Sequence, residues 1–157
     1  TAQALTTIHG LGQVELALNS ATDSFMRDVR QATALDTTLP GGEFTQDLTS
    51  VGESPNGRAT LLLRTPAIVS GQPSLTKFDY VIYDFSEPAQ QLTRIVKRDP
   101  NSSRQEGTRV VARNVASVTF TPNFPMPGEV KFNIVAVVPQ DRFSFTEIAN
   151  CSAAWRN

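Results

Sequence analysis

His9 is the only histidine in the chain and Cys151 the only cysteine. A nucleophile–base–orienter triad therefore has one imidazole to use, and no motif sets a nucleophile beside it. His9 flanks an apolar helical stripe, which makes it a solvent-facing or interface residue. One cysteine closes no intrachain disulfide and builds no cysteine-rich zinc site. Cys151, within Asn150-Cys151-Ser152, reads as a small buried hydrophobe, since no basic neighbour or helix N-terminus is expected beside it to favour a thiolate. Asp99, Asn101, Ser102 and Ser103 carry oxygens at turn positions, with Glu106 behind them. A calcium loop uses such ligands, but the glycine and flanking helices of an EF-hand are missing. The segment reads as a solvated turn, no cofactor is expected, and calcium there is the alternative.

Gly10-Leu11-Gly12 is half a dinucleotide fingerprint with no strand before it, so it reads as helix packing or local bending. The sequons Asn101-Ser102-Ser103 and Asn150-Cys151-Ser152 are too short to mark glycosylation by themselves. The chain holds no G-x-S-x-G elbow, P-loop, H-E-x-x-H or C-x-x-C. Arg94, Lys97, Arg98, Arg104, Arg109 and Arg113 concentrate positive charge in the middle of the chain. Asp84, Glu87, Asp99 and Glu106 interrupt it, so these basic residues read as exposed strand and turn positions that blunt edge pairing. No enzyme activity is expected from this inventory.

The 157 residues suffice for one domain with its own core. Hydrophobic residues at 39% exclude a disordered tail, and charged residues at 18% exclude a Glu/Lys-rich coiled coil. A formal net charge of −1 argues against a nucleic-acid module held by bulk charge. No run of apolar residues is long enough to span a bilayer.

Ala4, Ile8, Leu11, Val14, Leu18, Ala21, Phe25, Val29 and Ala32 recur every three or four positions. That spacing predicts one long amphipathic helix over 1–35. Asp36 and the Pro40-Gly41-Gly42 run stop it. The stripe is under way from the first residues and the chain opens at Thr1 rather than Met. Both read as a cut inside a longer helix, with a leader or anchor upstream. Residues 36–57 have no period and read as a connecting loop. Over 58–157 the signals are strands: 59–65, 78–85, 91–97, 108–112, a stretch around Val118 and Phe120, and the alternating Val130, Phe132, Ile134, Ala136 and Val138. Phe143 to Trp155 reads as an edge strand. Helices do not alternate with strands. The predicted class is therefore α+β, a long N-terminal helix packed on an antiparallel sheet in one domain.

The stretch Phe25-Met26-Arg27-Asp28-Val29-Arg30-Gln31-Ala32 resembles the end of the spine helix in type IV pilin-like proteins. Asp79-Tyr80-Val81-Ile82-Tyr83, then Gln91-Leu92-Thr93-Arg94-Ile95-Val96, then 109–120 follow in an order similar to minor pseudopilins of the J type or PilW-like minor pilins. The closing Trp155-Arg156-Asn157 is also similar. The succession covers most of the chain, although each motif alone is short. The family's apolar span and the acidic residue near its mature N-terminus are absent from this chain.

The resemblance implies a structural subunit of a type IV pilus or type II secretion pseudopilus that initiates or caps filament assembly. It implies a membrane-anchored precursor cleaved and methylated by a prepilin peptidase, with other pilin or pseudopilin subunits as partners. The location implied is the bacterial inner membrane and periplasm or a cell-surface filament, this part being soluble. On that expectation Ala4, Leu5, Ile8, Leu11, Val14 and Leu18 meet neighbouring subunits. Phe25, Val29, Tyr80, Ile82, Phe120, Phe132 and Ile134 form the helix-on-sheet core. The other readings are a binding module of adhesin or DNA-uptake type, using the 36–57 loop or the Arg-rich strands, and a hydrolase whose site no motif reveals.

Overall fold

The computed structural model describes residues 2–36, 39, 60–123, 126–140 and 143–156, with the backbone alone for 2–14, 138–140 and 143–145. One helix, α1 (Ala2–Gln31), precedes eight strands. These are β1 (Ala34–Leu35), β2 (Thr60–Val69), β3 (Gln72–Ser86), β4 (Gln91–Lys97), β5 (Gly107–Ala112), β6 (Val115–Pro122), β7 (Glu129–Gln140) and β8 (Phe143–Ala154). They form two antiparallel sheets, ordered β1-β2-β3-β4-β5 and β6-β7-β8.

The expected α+β class, a long helix on a single antiparallel sheet, is thereby corrected. The described residues are mostly β, and the strands divide into two sheets. The division falls at Arg113-Asn114. Asn114 adopts the left-handed conformation (φ 55°), which asparagine tolerates better than most residues. After it β6 pairs with β7 instead of continuing beyond β5. No helix among the described residues is long and apolar enough to cross a membrane.

Three local differences from the sequence reading have physical causes. The helix ends at Gln31, because the Thr33 and Asp36 amides bond the Arg64 and Leu62 carbonyls and draw the chain into β1. Pro66 does not end its strand; the β2–β3 ladder shifts register between Pro66 and Ile68, which accommodates a residue with no N–H. The β2–β3 hairpin then closes through Ser70-Gly71, both at positive φ, as a two-residue turn of the primed kind requires.

The larger core gathers Leu18, Ala21, Phe25 and Val29 of α1 against Leu61, Leu63, Val81, Tyr83 and Phe85 of the first sheet. Val118, Phe120, Phe132, Ile134 and Ala136 of the second sheet join it. Phe25 lies at its centre, with ring centroids 4.7 Å from Phe132 and 6.1 Å from Tyr83. Leu39, Leu62 and Ile82 form a second cluster, with Tyr80 and Ile95 packed against it. Leu61, Leu62 and Leu63 are all buried, and they alternate between the two clusters, so the first sheet is covered on both faces here.

Candidate functional site: a charged seam beside the helix

Successive turns of α1 present Ser24 and Asp28 to the first sheet, an i, i+4 pair one position away from the apolar stripe. Both are buried. Arg94 of β4 reaches Asp28 with two bonds, Nε to Oδ2 at 2.7 Å and Nη2 to Oδ1 at 3.0 Å. The Tyr83 hydroxyl also donates to Asp28 Oδ2. Its one proton being spent there, Ser24 Oγ must donate to Tyr83 across the 2.8 Å between them. Arg109 Nη2 of β5 then donates to Ser24 Oγ at 3.4 Å. Donors run from Arg109 through Ser24 and Tyr83 to Asp28, and Arg94 meets the same carboxylate from the other side.

Burial and the Asp28 charge push the Tyr83 phenol well above its ordinary pKa. The bonds to Asp28 outweigh burial at Arg94 and raise its pKa. No base or nucleophile emerges from this cluster. It is a clasp that ties the helix to the first sheet.

Above the clasp the surface opens into a groove of about 340 Å³ lined by Leu16, Asn19, Ser20, Asp23, Ser24, Arg27 and Arg109. The helical residues in that set share one face. Arg27 is well exposed and sits 3.9 Å from an Asp28 already engaged by Arg94 and Tyr83. Leu16 is 71% exposed at the groove's end. A second groove, about 350 Å³, holds Arg104 and Arg156. Arg104 there is committed to the buried Asp79 at 2.9 Å and to the Pro66 carbonyl at 3.1 Å.

In the turn weighed for calcium, several oxygens already accept donors from the turn itself. Asp79 accepts from the Asp99 amide, from Ser102 Oγ and from Arg104 Nε. Asp99 Oδ1 accepts from both nitrogens of Asn101. No metal-holding group of three or more His, Cys, Asp and Glu side chains occurs among the described residues. The Ser102-Ser103-Arg104 segment also covers the outer edge of β2 past Pro66: Ser102 Oγ accepts from the Ile68 amide, and the Ser103 amide bonds the Ile68 carbonyl.

The residues expected at the helix-on-sheet core divide. Phe25, Val29, Phe120, Phe132 and Ile134 lie in the larger cluster. Tyr80 and Ile82 do not; they belong to the opposite face of the first sheet, and Val81, Tyr83 and Phe85 take the place beside α1. The strand FDYVIYDF is apolar at both parities, so alternation could not choose its inward face. Leu18, assigned in sequence to an assembly contact, is buried in this chain's own core. The side chains of Ala4, Leu5, Ile8, Leu11 and Val14, and that of His9, lie outside the described residues, as do 37–38 and 40–57 of the expected contact loop. Of the basic residues in and around the middle strands, Arg94 and Arg104 pair with the buried carboxylates of Asp28 and Asp79, and Arg98 bonds the Ser102 carbonyl. The sequence reading missed the Asp28 clasp; its signal was an acidic residue flanking the apolar stripe one turn after a serine.

Comparison with protein-family models, with curated proteins and with solved structures finds no match for this chain.

Proposed function

We propose that the protein is a non-enzymatic assembly subunit, a minor pilin or minor pseudopilin of a type IV pilus or a type II secretion pseudopilus. Its partners are other subunits of the filament, met through the first turns of α1, and a prepilin peptidase acting on the full-length, membrane-anchored precursor. Its place is the bacterial inner membrane and periplasm or a cell-surface filament.

The reading is carried by what the helix does from Leu18 onward, set beside the stripe that the sequence places before it. Helix α1 is 30 residues long, about 45 Å. Leu18, Ala21, Phe25 and Val29 join this chain's own core. The turns before Leu18 hold Ala4, Leu5, Ile8, Leu11 and Val14 at helical spacing, a stripe that would serve a neighbouring helix. The order of motifs along the chain supports the same reading.

Protein isolated from its native cell tests this through intact mass and N-terminal sequence. An apolar span upstream of Thr1, beginning on a methylated residue, is expected. A native N-terminus at Thr1 with no anchor would overturn the reading. The variants Phe25→Asp and Ile8→Glu test the division itself: the first should unfold the domain, the second should leave it folded and weaken assembly.

A further inference from the structure

We propose that the outer edge of β5 and the groove beside it receive an extended acidic segment of another protein chain. The segment would add as a sixth strand to the first sheet and set a carboxylate on Arg109 and Arg27. Neither the β5 edge nor the groove enters the filament reading.

Three observations converge on it. The two sides of the first sheet differ. On one side β1 pairs with β2 at Leu63 and Arg64, and beyond Pro66 the Ser102-Ser103-Arg104 segment covers β2. The β5 edge pairs with no strand among the described residues, and Gly107, Thr108 and Arg109 are exposed. An open edge is a template for strand addition.

The groove beside that edge is bounded by one face of α1 from Leu16 to Arg27. Its floor is Ser24 and its cations are Arg109 and Arg27. Arg109 stands directly opposite Arg94 in the ladder, and Arg94 is already neutralised by Asp28. Among the described residues no carboxylate lies within salt-bridge distance of Arg109; the one hydrogen bond of its side chain is the long one to Ser24. Asp23 is the acidic residue on the wall, against two arginines, and leaves the surface net positive. Leu16, exposed at the end, gives the segment an apolar contact next to the charged one. Backbone bonds would supply affinity and the carboxylate would set register and selectivity, as in other strand-addition sites.

The test uses the whole chain and a short peptide of alternating valine and glutamate, followed by amide chemical shifts. Shifts are expected at Gly107, Thr108 and Arg109 and along 16–27. Arg109→Gln, which keeps a donor for Ser24, should weaken binding roughly tenfold or more, as loss of a charge-assisted contact would, while changing the melting temperature little. Added salt should weaken it further. An N-methylated form of the same peptide keeps its charge but cannot pair as a strand, and it should not bind. Equal binding by a valine–lysine peptide would overturn the proposal. So would shifts confined to other surfaces, no shifts at millimolar peptide, full binding by the N-methylated form, or inorganic phosphate perturbing the groove as strongly as the peptide.

Discussion

Asp28 of the helix and Arg94 of β4 meet in a two-pronged ion pair, Nε to Oδ2 at 2.7 Å and Nη2 to Oδ1 at 3.0 Å, although 66 positions separate them in sequence. Tyr83 supplies a third donor to the same carboxylate. The pair lies at the boundary of the aromatic core, with Asp28 almost wholly buried and the Arg94 side chain 18% exposed. Its two-pronged geometry restrains the rotation of α1 against the first sheet.

Asp28→Ala should therefore cost about 3 kcal/mol, since it strands a largely buried guanidinium. The melting temperature should fall by on the order of 10 °C. The double variant Asp28→Leu with Arg94→Met removes both charges and should recover much of the loss. Thermal unfolding of the three proteins measures this. A double variant no better than the single one would mean that the pair adds net stability over an apolar replacement.

Stability should decline on the alkaline side. The pKa of Tyr83 is raised in the fold, by burial first and then by Asp28. The phenol's contribution is thus fully present below the unfolded value of ~10 and is lost as pH rises past it, because the unfolded chain ionises first. Each such group gives a slope of about −1.4 kcal/mol per pH unit. Tyr83→Phe should start about 1 to 2 kcal/mol less stable, having lost two hydrogen bonds. It should then show a shallower decline above pH ~10. Urea unfolding across that range decides it, and parallel curves would refute the assignment.

Cys151 should be a slow thiol. Burial, and next the charge of Asp23, push its pKa up to about 11. Alkylation by iodoacetamide should be much slower at neutral pH than in the urea-unfolded chain, and should still be accelerating past pH ~9, where an ordinary thiol levels off. A plateau near pH 9 would show an exposed, unperturbed thiol.

Calcium and chelator should leave the melting temperature unchanged, because Asp79 and Asp99 already accept donors from the turn itself. Asp79→Ala should cost about 3 kcal/mol or more by orphaning those donors. A rise of several degrees in calcium would show that the turn opens to bind it.

How much of this was legible follows from the residues. Gln91–Lys97 and the inward Phe132 and Ile134 stand out because polar or turn residues bracket them. Strand β3 carries apolar residues at both parities, so Tyr80 and Ile82 could not be told from Val81 and Tyr83. The second cluster, reached by Leu39 from outside the strands, decides the matter. The division into two sheets falls at Asn114, whose left-handed backbone has no periodic signature. The clasp was hidden because its members come from three separate elements and only the folded chain brings Ser24, Tyr83, Asp28 and Arg94 together. Strand propensity also could not show that β5 would pair with β4 alone among the described residues.

The last strand lies against the first helix: β8 is the strand that α1 touches most, and the Arg156 amide bonds the Ala32 carbonyl at 2.8 Å. Such closure makes folding order a matter of synthesis order. A ribosome that has delivered everything up to β7 has produced a chain whose helix still lacks the strand it packs on most. The core around Phe25 would stay incomplete, and the domain would have no partly finished native state in which to rest. Contacts this distant in sequence also favour slow, concerted folding over stepwise growth. The nascent chain should therefore remain protease-sensitive until Phe143–Ala154 emerges, and then become resistant in a single step.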